Sequence, residues 1–161
     1  MALGLIPIIH IVAAVFSIIE LGLTAYLVST YSGWYDYDYD YSPPRINFMV
    51  FNSVWSLLVL LYVGVVPLYL TSFFHRLAAL ALNAVTTIFW FAGAIALAVL
   101  VGAPYHCYAA SCGSTADAAV AFGFFLWVLF AALTVIDALD SLRSRGHNVG
   151  PANKPNAYPG A

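Results

Sequence analysis

Apolar residues run through the chain in long blocks, and the few polar positions between them divide it into segments. From Ile46 to Gly102 the sequence is apolar almost throughout, with one clear break at Phe73-Phe74-His75-Arg76. Each half is longer than the ~20 residues a helix needs to cross the hydrocarbon of a bilayer. No water inside a bilayer serves the backbone amides, so halves of this kind are helical. A further apolar run spans about Ile6 to Ser29, and another about Asp117 to Leu139. The pattern predicts an all-α membrane protein. Four transmembrane helices, over 6–29, 46–72, 78–102 and 117–139, form one bundle within residues 1–145. Thr30 to Arg45 and Ala103 to Ala116 read as loops, and Phe73 to Leu77 as a tight turn. From Asp140 the chain turns polar, and residues 146–161, rich in Gly, Pro and Asn, read as a disordered cytoplasmic tail. Met1 to Pro7 lacks Lys and Arg, and the apolar run beyond it is too long for a removable signal peptide. The first segment is therefore expected to stay in the protein.

Composition sharpens the class. Of 161 residues, 63% are hydrophobic and only 7% charged, with a mean hydropathy of +0.92. A soluble domain carries about a quarter charged residues. Too few charges remain to cover a water-facing surface, so lipid is the main solvent. The net charge is -2 and the five Lys and Arg are scattered. They form no basic face for a nucleic acid. The turn and the tail hold Arg76, Arg143, Arg145 and Lys154, whereas the two other loops hold only Arg45. Excess Lys and Arg marks the cytoplasmic side, which puts both termini there.

Candidate chemistry is sparse. Glu20 is the one carboxylate deep in an apolar segment, a little past the midpoint of the first span. Counting from the span ends puts Ser53, Ser56 and Trp90 at comparable depth, and the indoles of Trp55 and Trp90 can donate to it. The first reading of Glu20 is a protonated or hydrogen-bonded carboxyl that joins helices. The second is a proton relay or cation site, which makes the chain a small transporter, channel or accessory subunit. A relay uses several ionisable groups in series, and His10 lies ten residues away, roughly 15 Å along a helix. Asn52 and Asn83 are the other deep polar side chains. Both read as interhelical hydrogen-bond donors, at different depths, so not to each other.

Cys107 and Cys112 share a loop on the side away from the cytoplasm, where two nearby cysteines favour a disulfide. A zinc reading with His106 lacks a fourth ligand. Asp36, Asp38 and Asp40 alternate with tyrosines, but the glycine and glutamate of a calcium loop are missing. No metal, cofactor or catalytic residue is expected. Ala92, Gly93, Ala94, Ala96 and Ala98, and then Ala119 and Gly123, are small residues that let helices approach closely, inside one bundle or between copies. At the inner boundary Asp137 is placed to meet Arg76 or His75, and Asp140 pairs with Arg143 along one helix face. Arg143 and Arg145 read as ordinary anchoring charges.

Arg45-Ile46-Asn47-Phe48-Met49-Val50-Phe51-Asn52-Ser53-Val54-Trp55-Ser56-Leu57 resembles the opening of the second span in fungal MARVEL-domain proteins. Phe74-His75-Arg76, followed by Ala84-Val85-Thr86-Thr87-Ile88-Phe89-Trp90-Phe91-Ala92-Gly93, resembles their turn and third span. Ala138-Leu139-Asp140-Ser141-Leu142-Arg143-Ser144 is similar to the end of their fourth. The resemblance covers roughly residues 6 to 145 and leaves out the Tyr/Asp loop and the tail. It implies a four-helix bundle with cytoplasmic termini and a role in organising membrane. Proteins of this kind are associated with lipid-rich plasma-membrane microdomains and vesicle trafficking. The fungal branch includes proteins of eisosome-associated compartments, and no catalytic residues come with it. The combined expectation is a non-enzymatic tetraspan scaffold of the plasma membrane or a vesicle. It binds lipid, a sterol or sphingolipid among the candidates, and associates with itself as a homo-oligomer.

Overall fold

The computed structural model describes residues 2–32, 44–69, 76–102 and 112–146, with side chains over 6–30, 44–66, 77–102 and 113–143. They form four helices: α1 (Ala2–Ser32), α2 (Pro44–Tyr69), α3 (Arg76–Gly102) and α4 (Cys112–Gly146). The shortest has 26 residues, about 39 Å of helix against ~30 Å of hydrocarbon. Each contains a stretch long and apolar enough to cross a membrane: Ile6–Thr30, Pro44–Val66, Leu77–Gly102 and Gly113–Arg143. Pro44 opens α2, where its missing N–H costs nothing. Gly102 and Gly146 close α3 and α4, where glycine readily leaves the helical conformation.

Several helix ends differ from the expected spans. Thr30 to Ser32 continue α1 instead of starting a loop. α4 begins at Cys112, in a stretch read as loop. Gly113, Ser114 and Thr115 look like loop residues, but Ala116 already packs in the core. α4 also continues through Asp140 to Arg145 before stopping at Gly146. Leaving the hydrocarbon does not end a helix made of good helix formers. The Tyr/Asp loop, the turn at 73–75, Cys107 and the tail beyond Gly146 lie outside the described residues, as do the side chains of Arg76, Cys112 and Arg145.

The helices stand in cyclic order. α1 packs on α2 and α4, and α3 packs on the same two, while among the described residues no Cα of α1 comes within 8 Å of one of α3, nor one of α2 within 8 Å of one of α4. One spacing explains this arrangement. Buried positions recur three and four residues apart on every helix. They are 13, 17, 20, 24 and 27 on α1, and 46, 49, 53, 56 and 60 on α2, where the adjoining 52 and 59 are buried as well. On α3 they are 79, 83, 86, 90, 93 and 97, with the adjoining 94 buried as well, and on α4 they are 116, 119, 123, 126, 130 and 133. That is the heptad seam of a left-handed bundle.

What occupies the seam reverses the usual order. Ser17, Glu20, Thr24, Asn52, Ser53, Ser56, Asn83 and Thr86 are all buried. Ile8, Ile11 and Ile18 of α1, Leu58 and Leu61 of α2, Ile88 and Val99 of α3, and Val128 and Val135 of α4 all point outward. Lipid accepts the apolar exterior without penalty, so association inside rests on close packing and hydrogen bonds. Met49 lies near the bundle axis: a Cβ built on Gly93 would stand 2.7 Å from its Sδ, and one built on Gly123 3.1 Å from its Cε. The two glycines give this side chain room between α3 and α4. The small residues Gly93, Ala94, Ala119 and Gly123 thus serve packing within the bundle.

Candidate functional site: a polar seam inside the bundle

The polar side chains of the interior form two hydrogen-bonded interfaces. Between α2 and α3, Asn52 Nδ2 donates to the Phe89 carbonyl at 3.0 Å. Trp55 Nε1 donates to Thr86 Oγ1 at 3.1 Å, and Trp90 Nε1 to Ser56 Oγ at 2.7 Å. Between α3 and α4, Asn83 Nδ2 donates to Asp137 Oδ2 at 2.7 Å. One turn on, the hydroxyls of Thr87 and Thr134 meet at 3.1 Å. From Asn52–Phe89 to Trp55–Thr86, and from Asn83–Asp137 to Thr87–Thr134, the number rises on one helix as it falls on the other, so both pairs run antiparallel.

Each of these side chains is set by its place on the seam. Thr86 donates to the Leu82 carbonyl at 2.7 Å, which leaves its oxygen lone pairs turned toward Trp55. Thr87 and Thr134 likewise have back-bonds to the Asn83 and Phe130 carbonyls. A threonine that satisfies itself this way costs a membrane helix little and still offers an acceptor to its neighbour. Asn52 reaches α3 because Gly93 has no side chain. A Cβ there would stand 2.8 Å from Asn52 Nδ2.

The arrangement differs from the expected one at Glu20. Trp90 pairs with Ser56 and Trp55 with Thr86, while Ser53 donates to its own helix at the Met49 carbonyl. None of them bonds the Glu20 carboxyl, whose two oxygens are buried without a hydrogen-bond partner. Of the residues expected at the depth of Glu20, Ser56 and Trp90 bond each other across α2 and α3. Asp137 is held by Asn83. Arg143 is exposed on the last turns of α4. The Cys107–Cys112 pair lies outside the described side chains. Sequence reasoning singled out Asn52, Asn83, Trp55 and Trp90 but missed Thr86, Thr87, Thr134 and Ser17. Their three-and-four spacing along each helix was the available signal.

Aromatic rings line the outer edges of three helix pairs. Phe48, Phe51, Trp55 and Phe89 cluster between α2 and α3, with Phe51 stacked on Trp55 at 6.1 Å and Phe48 edge-on to Phe89 at 5.9 Å. Phe16 meets Phe122 edge-on at 5.2 Å between α1 and α4. Phe91 meets Trp127 at 5.3 Å between α3 and α4. Phe51, Phe91 and Phe125 are about half exposed, so these clusters present ring faces and edges to lipid.

Four long apolar helices, polar side chains turned inward and rings turned outward define a multi-pass membrane protein. The chain belongs to the MARVEL family: the model of this membrane-associating domain matches residues 3–136. No match to the chain was found among curated proteins or among solved structures.

Proposed function

We propose that the protein is a non-enzymatic tetraspan scaffold that organises membrane by gathering lipid and further copies of itself. The observation that carries this reading is the distribution of chemistry across the bundle. The polar groups of α2, α3 and α4 are largely consumed in holding the helices together, and the outer surface is apolar and studded with ring clusters. A surface of this kind acts on lipid and on other membrane helices through packing. Membership of a membrane-associating family supports the same direction. The lysine and arginine distribution supports cytoplasmic termini. The resemblance to the fungal branch, with its eisosome-associated compartments, favours the plasma membrane over vesicles as the host.

Reconstitution tests the proposal. Two fluorophore-labelled pools of the full chain are mixed at low density in vesicles with and without sterol and sphingolipid. Energy transfer above that of randomly dispersed molecules, rising with those lipids, is the expected result. Transfer at the random level in every composition would overturn it.

A further inference from the structure

α1 differs from the other helices in how its buried polar side chains end. α2, α3 and α4 are joined by side-chain hydrogen bonds. The buried polar groups of α1 reach no other helix. Thr24 donates back to the Glu20 carbonyl at 2.8 Å, and His10 Nδ1 bonds the Ile6 carbonyl at 2.9 Å. Ser17 Oγ, both carboxyl oxygens of Glu20 and His10 Nε2 are buried without a partner. Ser17 and Glu20 are 0% exposed and stand three residues apart on the inward face.

A bare carboxylate is costly in so dry a setting, and an intramembrane carboxyl with no structural partner points to a binding role. The buried indole and amide donors of α2 and α3 are committed elsewhere: Trp55 to Thr86, Trp90 to Ser56, Asn83 to Asp137. Among the described side chains, the titratable and charged groups on the helices packed against α1 are Arg45 and Tyr62 of α2, and Asp117, Asp137, Asp140 and Arg143 of α4. None of them bonds the Glu20 carboxyl. On α1 itself His10 shares the inward side and Tyr26 is exposed.

We propose that Ser17 and Glu20 form an occluded site for one small monovalent cation, a proton or an alkali-metal ion. The site offers the two carboxyl oxygens and one hydroxyl, hard oxygen donors with a single formal negative charge. One positive charge neutralises it, whereas a divalent ion would leave a buried net charge. Because these side chains take no part in joining the helices, occupancy can change while the α2–α3–α4 hydrogen bonds stay intact. The site binds without needing a continuous path through the bundle. It is independent of the scaffold reading.

Glu20 is the only glutamate in the chain, so a glutamate-selective carbon-13 label reports it without mutation. The δ-carboxyl resonance of the full chain in lipid nanodiscs is followed while pH is varied at fixed salt. It is then followed while sodium or potassium is added at fixed pH. A saturable move between two end positions is expected. Response to pH alone assigns the proton, and response to added alkali metal at fixed pH assigns the metal ion. Ser17→Ala should shift the half-saturation point by about threefold or more, the effect of losing one polar contact to the bound cation. A resonance that stays fixed through both series in the wild-type chain would overturn the proposal, whatever Ser17→Ala does. A wild-type response that Ser17→Ala leaves at the same midpoint would overturn the two-residue site.

Discussion

The amide of Asn52 occupies the space that Gly93 leaves open: a Cβ built on Gly93 would stand 2.8 Å from Asn52 Nδ2. The same Cβ would stand 2.7 Å from Met49 Sδ. Both distances are well inside ordinary contact, so Gly93→Ala must push both side chains aside. The expected cost is about 1–3 kcal/mol, the range for overfilling a packed interior. Gly22 provides the control. Nothing lies within 4 Å of a Cβ built there, so Gly22→Ala should be neutral or stabilise by up to about 1 kcal/mol through helix propensity. Unfolding the two variants in mixed detergent micelles checks both. Equal stabilities would contradict the packing described.

The Asn83–Asp137 bond should behave as a local clasp between α3 and α4. A double-mutant cycle with Asn83→Ala and Asp137→Ala is expected to give a coupling of about 0.6–1.7 kcal/mol, the span for hydrogen bonds between membrane helices. Strict additivity would mean that the 2.7 Å contact contributes nothing.

The buried indole bond from Trp90 to Ser56 predicts an asymmetry. Ser56→Ala strands the Trp90 N–H, which is 0% exposed, whereas Trp90→Phe with Ser56→Ala removes both partners. The single Ser56→Ala change should cost about 1–3 kcal/mol, the penalty of an unpaired buried donor. Adding Trp90→Phe should recover part of the hydrogen-bond loss while introducing a packing loss. Indole fluorescence is a poor monitor here because other tryptophans are present, so equilibrium unfolding followed by circular dichroism is the measurement.

The four spans were legible because lipid-facing helices are apolar on nearly every side, and such runs need no periodicity to be seen. The same uniformity hid the seam. Apolar residues at Ile11, Val15 and Ile18 face lipid while Ala13 and Leu27 face inward, so hydrophobicity does not tell the two sides of α1 apart. The readable signal was the spacing of small and polar residues, such as Asn83, Thr86, Trp90, Gly93 and Leu97 on α3. Depth counting from span ends put Ser53, Ser56 and Trp90 level with Glu20, and of these Ser56 and Trp90 bond each other. Neither they nor Trp55 bond the Glu20 carboxyl, and depth along a span does not by itself choose a partner. The start of α4 was misread because Gly, Ser and Thr suggest a loop, while the buried Ala116 behind them belongs to the core seam.

The ring cluster of α2 and α3 should matter to lipid more than to folding. Phe51 is 48% exposed and stacks on Trp55 at the outer edge of the pair. Phe51→Leu keeps an apolar surface but removes a ring. It is expected to lower the lipid retained by the purified protein while changing stability by less than about 1.5 kcal/mol, as for other apolar exchanges of similar size. Quantitative lipid analysis beside an unfolding curve separates the two effects.

Native mass spectrometry of the full chain, released from its own membrane in lipid nanodiscs and in mild detergent, tests the scaffold account most directly. The predicted result is assemblies of two or more copies carrying bound lipid, enriched in sterol or sphingolipid relative to the surrounding membrane. Single copies free of lipid in both media would contradict it.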